Sequence, residues 1–465
     1  MAEPNNNKNE MTLPLNTKVG WGLGTMSVAI GLSLQNMLFL RFMTDFLGVA
    51  AATAGLLLTA SKIYDAITDP IMGLVTDRTS SRFGRRRPYL LLGGALLAIS
   101  LIAIFNPPSD LTSEARNVYI FAMLLLYATA YTIFNVPYLA MPAEMTVNPH
   151  QRSELMTYRI YAVALSGMLA SFGGPMIISH FGGGEFGHQM MSYILAPVIL
   201  GASVVAFYAT RNAPFTERGT PKKSSFAEKL QVITENRPFF LLLAIKFCTL
   251  LNIGVGSMMP FFFNYVLKLP YSMLGTYFLA VQITLMVSQK IWLSIGKRFG
   301  KRNTYMIALT IAMITPASWL LAGPNEPLVL LLARAIINGF GVGGVLLMGQ
   351  SLLPDAMEYD YLKSGIRREG VFAGMYTTVE KISGAVGVAL VGFILGATGY
   401  VASKGVAVEQ PESAISAIYL CIGLFPIIVD IMGILLLTRF NLNEETLAKM
   451  RQARLSAEPA TTKQA

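Results

Sequence analysis

Two carboxylates lie four residues apart in an apolar part of the chain. Asp65 and Asp69 belong to the segment Lys62-Ile-Tyr-Asp-Ala-Ile-Thr-Asp-Pro70. Residues four apart share one face of a helix, and Thr68 is close enough in helical angle to flank that face. Two carboxylates side by side in a low dielectric repel each other, so neutralising them requires a proton or a bound cation. Because carboxylate and hydroxyl oxygens are hard ligands, these residues predict a site for Na+ or H+.

Lys62 offers a second interpretation of the same segment. A structural ion pair between Lys62 and one of the aspartates would need no bound cation. One lysine leaves the other carboxylate uncompensated, however, and an aspartate at bilayer depth costs about 2.5 to 3.5 kcal/mol on insertion scales. The cation site is therefore the stronger interpretation, and the ion pair is its alternative.

Polar side chains also interrupt the apolar segment Tyr131-Thr-Ile-Phe-Asn-Val-Pro-Tyr138. Thr132 and Asn135 are suited to completing an oxygen cage or to binding a polar solute. Threonine and asparagine also join neighbouring membrane helices through hydrogen bonds. The two interpretations are equally open from these residues alone.

Several charged residues lie inside other apolar stretches, where each needs a partner or a function. Arg159 and Lys381 are the strongest candidates for residues with a functional role instead of a structural one. Arg41 and Asp45 are one helical turn apart, which favours a local ion pair. The remaining expectations are a pair between Arg334 and Asp430, a partner for Glu380 on a neighbouring helix, and extension of Lys246 and Lys290 towards the membrane surface.

The elements that position these residues must lie in a membrane. The 465 residues are 53% hydrophobic and only 13% charged, whereas a soluble domain carries about 25% charged residues. Long unbroken apolar runs argue against barrel strands, which alternate apolar and polar residues. The composition therefore predicts an all-α polytopic membrane protein. No nucleophile with its base and no phosphate-binding loop is visible, so an enzyme is not expected.

Twelve stretches are long enough to span a bilayer, which takes about 20 mostly apolar residues. They are centred near Ser33, Leu58, Leu97, Leu126, Met168, Val198, Gly254, Leu285, Met313, Val345, Val388 and Phe425. A polar, charged stretch separates the first six from the second six. The expected organisation is a tail at residues 1–18, a six-helix bundle at 19–210, a central loop at 211–237, a second bundle at 238–440 and a tail at 441–465.

The basic residues indicate how the chain is oriented. Of the 36 Lys and Arg residues, 26 fall in the tails and alternate loops on one side, and three fall in the loops opposite. Because cytoplasmic loops are enriched in Lys and Arg, both termini are expected in the cytoplasm, with the chain in a plasma membrane, specifically a bacterial inner membrane. This distribution explains most of the net charge of +10 without a nucleic-acid partner.

The two halves repeat each other. Arg82-Phe-Gly-Arg-Arg-Arg-Pro-Tyr89 recurs 216 residues later as Arg298-Phe-Gly-Lys-Arg-Asn-Thr-Tyr305. A fainter echo pairs Met141-Pro-Ala-Glu-Met145 with Leu353-Pro-Asp-Ala-Met357. Parallel six-helix repeats are the pattern of major facilitator transporters, which bind their solute between the repeats near the bilayer midplane.

The loop after the second stretch resembles the motif that joins the second and third helices of major facilitators. It runs from Asp77 and Arg78 to Arg85 and Arg86. The resemblance implies a gating role, in which Asp77 and the arginines stabilise one conformation. A topology signal alone explains the arginines but not Asp77.

Four segments together resemble the glycoside-pentoside-hexuronide:cation symporters, whose best-studied member is the melibiose permease. They are the two segments that contain Asp65 and Thr132, the arginine-rich loop, and Asp360-Tyr361 followed by Gly365-Ile-Arg-Arg-Glu369. The similarity extends over about residues 18–440. It implies a twelve-helix major facilitator fold that works by alternating access, with uptake driven by a cation gradient.

The resemblance also assigns residues. It implies that Asp65 and Asp69 bind the coupling Na+ or H+, with Thr68 and Thr132 as neutral ligands. Arg159 and Lys381 match family positions that line the sugar site or its charge network, and Tyr131 and Asn135 join them as expected solute-binding residues. No cofactor is expected beyond the coupling ion.

Two departures from the melibiose permease bear on the solute. Ala29 stands where that permease has a sugar-binding aspartate, and Asn135 replaces a second aspartate. With fewer carboxylates and with Arg159 and Lys381 retained, the balance favours an anionic solute such as a hexuronide. The expected partners are thus a sugar or sugar acid, a monovalent cation and membrane lipid, with the protein as a monomer.

Two other functions stay open. A cation-coupled transporter of this type can carry a lysolipid or an organic anion instead of a sugar. A non-transporting membrane sensor on the same scaffold is the other alternative. Such a sensor usually carries a signalling domain, for which the expected tails at residues 1–18 and 441–465 are short.

Overall fold

The structure is a computed structural model that describes residues 12–146, 149–213, 236–365, 369–403, 405, 408–442 and 444–457. Throughout these ranges the regular structure is helical. Two compact units are present. The first comprises Met1–Pro221 and Ala402–Ala407, and the second comprises Lys222–Val401 and Val408–Ala465.

The first unit contains eight α-helices and three π-helical segments among its described residues. The α-helices are α1 (Leu15–Leu23), α2 (Met26–Leu34), α3 (Ala51–Arg78), α4 (Arg87–Phe105), α5 (Ser113–Met145), α6 (Pro149–Met168), α7 (Gly174–His180) and α8 (Gly184–Thr210). The π-helical segments are Gln35–Phe39, Phe42–Phe46 and Leu169–Gly173.

The second unit contains another eight α-helices among its described residues. They are α9 (Arg237–Phe261), α10 (Tyr271–Phe299), α11 (Lys301–Ala312), α12 (Ile314–Trp319), α13 (Leu328–Ser364), α14 (Glu369–Ala397), α15 (Glu412–Thr438) and α16 (Glu444–Ala457). A π-helical segment, Phe262–Val266, extends α9.

Ten of the described helical stretches are long and apolar enough to cross a membrane. The two other predicted spans, centred near Leu58 and Met313, coincide with α3 and with the consecutive helices α11 and α12. Helix α3 carries the charged residues of the candidate cation site, and α11 and α12 are separated by a break at Met313. The chain is thus an all-α multi-pass membrane protein, and the count of twelve spans stays a prediction.

Small residues allow α4 to pack closely against two neighbours. A Cβ atom added to Gly93 would lie 2.7 Å from Phe134 on α5, and one added to Gly94 would lie 2.1 Å from Ser203 Oγ on α8. Membrane helices associate through such small residues because lipid supplies no hydrophobic driving force between them. Consecutive glycines face two directions on a helix, so this pair fixes α4 between α5 and α8.

The first long stretch of each unit ends in the same backbone geometry. Leu47 N donates to Phe42 O at 3.2 Å, and Val49 N donates to Met43 O at 2.9 Å. In the second unit, Leu267 N donates to Phe262 O at 2.9 Å and Leu269 N donates to Phe263 O at 2.8 Å. This wide final turn recurs with a spacing of 220 residues between Phe42 and Phe262. The internal repeat therefore includes a helix end that the two sequence motifs do not reveal.

Candidate cation and solute site

Helices α3 and α5 of the first unit position the candidate cation ligands. Asp65, Thr68 and Asp69 project from successive turns of α3, and Thr132 projects from α5. Asp65 is 7% exposed and Thr132 is 2% exposed, whereas Thr68 and Asp69 are half-buried. Asp65 and Thr132 are therefore shielded from water, and Thr68 and Asp69 lie at the partly exposed side of the group.

The Thr132 hydroxyl lies between the two carboxylates. Thr132 Oγ1 is 2.9 Å from Asp65 Oδ1 and also 2.9 Å from Asp69 Oδ1. A hydroxyl group carries one hydrogen, so it cannot donate to both carboxylates at the same time. The other carboxylate then faces the hydroxyl oxygen without a hydrogen between them. A proton on that carboxyl group, or a cation bound among the oxygens, makes this second contact favourable.

Thr68 adds a further oxygen to this group. Its Oγ1 lies 3.3 Å from Thr132 Oγ1 and is within donating distance of two backbone carbonyls, those of Tyr64 and Asp65, at 3.1 and 3.2 Å, either of which can accept its one hydrogen. Since its hydrogen points to the α3 backbone, its lone pairs remain for the space near Thr132. Two carboxylates and two hydroxyls are thus the oxygen set that this part of the chain offers to a cation.

Lys62 lies one turn before Asp65 on α3. Its Nζ donates to Gln35 Oε1 at 3.3 Å, in the π-helical segment that follows α2. Tyr64, beside it in sequence, contacts Thr129 Oγ1 on α5 at 3.0 Å. Polar contacts therefore join α3 to both the first helical stretch and α5 around the candidate cation ligands.

Three of the four predicted solute-binding residues lie in the first unit. Asn135 Nδ2 donates to the Tyr131 hydroxyl at 3.3 Å along α5. Arg159 lies on α6, where its Nε is buried. Arg159 forms neither a hydrogen bond nor an ion pair with any residue that the structure describes. Its guanidinium group is therefore available to a ligand.

Lys381, the fourth predicted solute-binding residue, lies on α14 of the second unit and is half-buried. Its placement next to the other three stays a prediction. Glu380, its neighbour in sequence, accepts from Lys246 Nζ on α9 at 2.8 Å. The expectation that Glu380 finds its partner on another helix is therefore confirmed.

The arginines of the predicted gating loop contact an acidic residue on α5 that was not among the predicted gating residues. Glu144, at the end of α5, is 8% exposed. Its Oε1 lies 2.6 Å from Arg85 Nη2 and 3.2 Å from Arg86 Nε. Arg78 is exposed, and the side chain of Asp77 lies outside the described residues. Two of the four predicted gating residues thus converge on Glu144.

The second unit repeats this arrangement. Lys301 Nζ lies 2.7 Å from both carboxylate oxygens of Asp355. Lys301 and Asp355 occupy the copies of the two motifs that hold Arg85 and Glu144 in the first unit. The echo between those motifs was therefore the signal that could have identified Glu144.

Another arginine of each loop caps the last long helix of its unit. Arg87 donates to the carbonyls of Arg211 and Ala213 just beyond α8, at 3.1 and 2.7 Å. Arg302 donates to the carbonyls of Leu437 and Thr438 at the end of α15, both at 2.8 Å. Carbonyls at a helix C-terminus lack partners within the helix and attract cations. These arginines therefore fix helix ends in addition to signalling topology.

Among the other predicted pairs, that of Arg41 and Asp45 is confirmed, with Nε and Oδ2 2.8 Å apart. The pair of Arg334 and Asp430 is wrong. Arg334 instead binds Glu326, just before the start of α13, and the Ser318 hydroxyl on α12, because both lie beside the first turns of α13 that carry Arg334. Extension of Lys246 to the membrane surface is also wrong, since this lysine is 7% exposed and bound to Glu380.

A family model described as MFS/sugar transport protein matches residues 20–444. The chain belongs to this family. A candidate glycoside/cation symporter of Escherichia coli (strain K12) is 28% identical over 451 residues, which cover 93% of each chain. The glucuronide carrier protein homolog of the same strain is also 28% identical, over 413 residues that cover 85% of this chain and 86% of the relative.

Membership of the MFS/sugar transport family confirms the resemblance stated from the sequence. A solved structure supports the fold. The crystal structure of a bacterial homologue of the human lysosomal transporter Spinster matches with a TM-score of 0.67 at 13% identity, covering 91% of this chain and 97% of that chain. The protein is thus a multi-pass membrane transporter with the major facilitator fold. Its family and this structural relative are transporters rather than enzymes.

Proposed function

We propose that this transporter is a symporter that uses a Na+ or H+ gradient to take up a sugar, glycoside or hexuronide by alternating access. The observation that carries the proposal is the position of Thr132 Oγ1, 2.9 Å from a carboxylate oxygen of both Asp65 and Asp69. The proposed location is a bacterial inner membrane with both termini in the cytoplasm, in accord with the distribution of basic residues.

The proposed cation ligands are Asp65, Asp69, Thr68 and Thr132. Repulsion between the two carboxylates is strong where Asp65 is 7% exposed, because a low dielectric weakens it little. A cation bound among these oxygens removes that repulsion and draws α3 towards α5. Cation binding thereby fixes the turn of α5 that carries Thr132.

The same turn of α5 links the cation to the solute. Tyr131 precedes Thr132, and Asn135 follows it by three residues, so that the three residues span just over one helical turn. A cation that holds Thr132 also fixes the direction in which Tyr131 and Asn135 point. We therefore assign the coupling between cation and solute to this turn.

For the solute, Arg159 favours a sugar acid. A guanidinium without a protein partner binds a carboxylate through two parallel hydrogen bonds, which a neutral sugar cannot form. The relative named as a glucuronide carrier protein homolog supports the same class. Lys381, in the second unit, is the second proposed basic group for this solute.

The test of coupling is uptake into lipid vesicles that contain the purified protein. Asp65→Asn and Asp69→Asn are expected to abolish accumulation driven by a Na+ or H+ gradient, because the charge that holds the cation is removed. Asp110→Asn is the control, since Asp110 is exposed in a loop. Unchanged accumulation by both variants would remove the cation site from α3.

A thermal-shift screen of the purified protein tests the solute class. Hexuronides are expected to raise the melting temperature in the presence of Na+ more than neutral glycosides do. The Arg159→Ala variant is expected to lose the shift caused by hexuronides. Stabilisation by neutral glycosides alone would contradict the assignment of a sugar acid and leave the coupling proposal intact.

A further inference from the structure

A carboxyl group lies inside the second unit without a basic partner. Asp430, on α15, is 3% exposed. Asn252 Nδ2, on α9, donates to its Oδ1 at 3.2 Å. Over the ranges that the structure describes, no Lys, Arg or His nitrogen lies within 4 Å of this carboxylate. The failed pairing with Arg334 therefore leaves the charge of Asp430 uncompensated.

The Asn252 side chain presents a complementary deficiency. Its Oδ1 is buried and has no hydrogen-bond donor among the described residues. An ionised carboxylate only accepts hydrogen bonds, whereas a neutral carboxylic acid has one O–H group to donate. One proton on Asp430 therefore removes the buried charge and supplies the donor that Asn252 Oδ1 lacks.

The surroundings of Asp430 are formed by α9 and α11. Gly433, one turn further along α15, lies against Thr249 of α9 and Leu309 of α11, which a Cβ atom on this glycine would meet at 3.7 and 3.5 Å. Because Asp430 is 3% exposed, bulk solvent has little access to its carboxylate. A carboxylate buried without a counter-charge is strongly disfavoured against its neutral form.

Other titratable groups on the helices packed against α15 do not supply a positive charge to Asp430. Lys246 is bound to Glu380, and the guanidinium of Arg302 is bound to the carbonyls at the end of α15. Lys301, on α11, is bound to Asp355, and Arg237 is exposed at the start of α9. The remaining titratable groups with described side chains on α9, on the π-helical segment after it, on α11 and on α14 are Cys248, Tyr265, Tyr305, Tyr376 and Lys381.

We propose that Asp430 and Asn252 form a proton-binding site in the second unit, distinct from the proposed cation site in the first unit. The proton is held on a carboxyl oxygen of Asp430, and the resulting O–H group donates to Asn252 Oδ1. Binding forms one O–H bond with a proton taken from water. Release breaks that bond and returns the proton to water, leaving a carboxylate between α9 and α15. Proton occupancy thereby stabilises the packing of these two helices.

Infrared spectroscopy of the purified protein in lipid, with saturating Na+, tests this site. The wild-type protein is expected to show the C=O stretching band of a protonated carboxylic acid, and Asp430→Asn is expected to lose it. Asp360→Asn is the matched control, because Asp360 is 4% exposed on α13 and its replacement is expected to leave this band in place. An unchanged band in Asp430→Asn would overturn the proposal.

Asn252→Leu provides a second measurement that leaves Asp430 in place. Loss of the amide partner is expected to shift the same band, because the carboxylic acid then has a different hydrogen-bond environment. An unshifted band in a folded Asn252→Leu protein would also overturn the proposal. Neither result bears on uptake driven through Asp65 and Asp69, so failure of this proton site is distinguishable from failure of the proposed symport.

Discussion

The hydroxyl group of Thr132 provides the sharpest test of the proposed cation site. Thr132→Val keeps the shape of the side chain and removes the oxygen that lies 2.9 Å from both carboxylates. Interactions of a hydroxyl with charged groups contribute about 1.5 to 3 kcal/mol. Because Thr132 is 2% exposed, water cannot replace the missing oxygen. We therefore expect cation affinity to fall by a factor of about 10 to 150.

Thr129→Val is the matched control for this measurement. Thr129 lies one turn earlier on α5, and its hydroxyl contacts the Tyr64 hydroxyl at 3.0 Å rather than a carboxylate. Both substitutions remove one hydroxyl from one helix, so their general effects on folding are comparable. Titration calorimetry with Na+ on both purified variants is expected to show weakened binding for Thr132→Val alone, and Thr132→Ser is expected to restore it. Equal affinities in the two valine variants would refute the reasoning.

Three further predictions concern the rest of the molecule. Glu144→Gln removes the carboxylate that two arginines bind. This substitution is expected to destabilise the first unit by about 1 to 3 kcal/mol, since the arginines stay partly exposed. Thermal unfolding measures the effect, and Asp355→Asn is expected to act in the same direction. Gly94→Ala is expected to cost about 1 to 3 kcal/mol through overpacking against α8, while Gly201→Ala, which meets nothing within 4 Å, is expected to keep the wild-type melting temperature or raise it. Arg159→Lys is expected to fold normally, because Arg159 binds no described residue. The variant is expected to bind a hexuronide more weakly, because lysine cannot form the two parallel hydrogen bonds. An unchanged Kd for the hexuronide would contradict this role.

The sequence was informative where spacing alone determines geometry. Asp65 and Asp69 share a face of α3 because they are four residues apart, and Arg41 reaches Asp45 for the same reason. Apolar length located the long helices, since the bilayer sets that length. These features depend only on helical periodicity and on the surrounding medium.

Pairings between helices were not predictable in this way. The sequence gives the sign of the charges on Arg334 and Asp430 but not their depth, and Arg334 lies near Glu326 instead. Lys246 was expected at the membrane surface because its side chain is long, yet Glu380 on α14 draws it inward. Such partners are decided by tertiary packing and loop geometry, which bring Glu380 to Lys246 from 134 positions away and turn Glu326 back onto Arg334 from eight.

The internal repeat distinguishes features of the scaffold from features of the site. Basic residues that bind an acid after the fourth span, and arginines that cap the last span, are present in both units. We conclude that these contacts serve the helix bundle itself, because each bundle needs them independently of any solute.

The two carboxylates and the Thr132 hydroxyl of the proposed cation site, in contrast, have no counterparts at the corresponding positions of the second unit. With the 216-residue offset, Asp65 and Asp69 correspond to Val281 and Leu285 on α10, and with the 212-residue offset of the fainter echo Thr132 corresponds to Gly344 on α13. A Cβ atom on Gly344 would lie 2.5 Å from the Trp292 ring, so the second unit fills with an apolar ring the place where the first unit has a hydroxyl between two carboxylates. A bundle with this fold therefore does not need buried carboxylates at these positions. Their presence in the first unit carries the free-energy cost of placing charge at bilayer depth, and the proposed binding of a coupling cation is a function that would account for that cost.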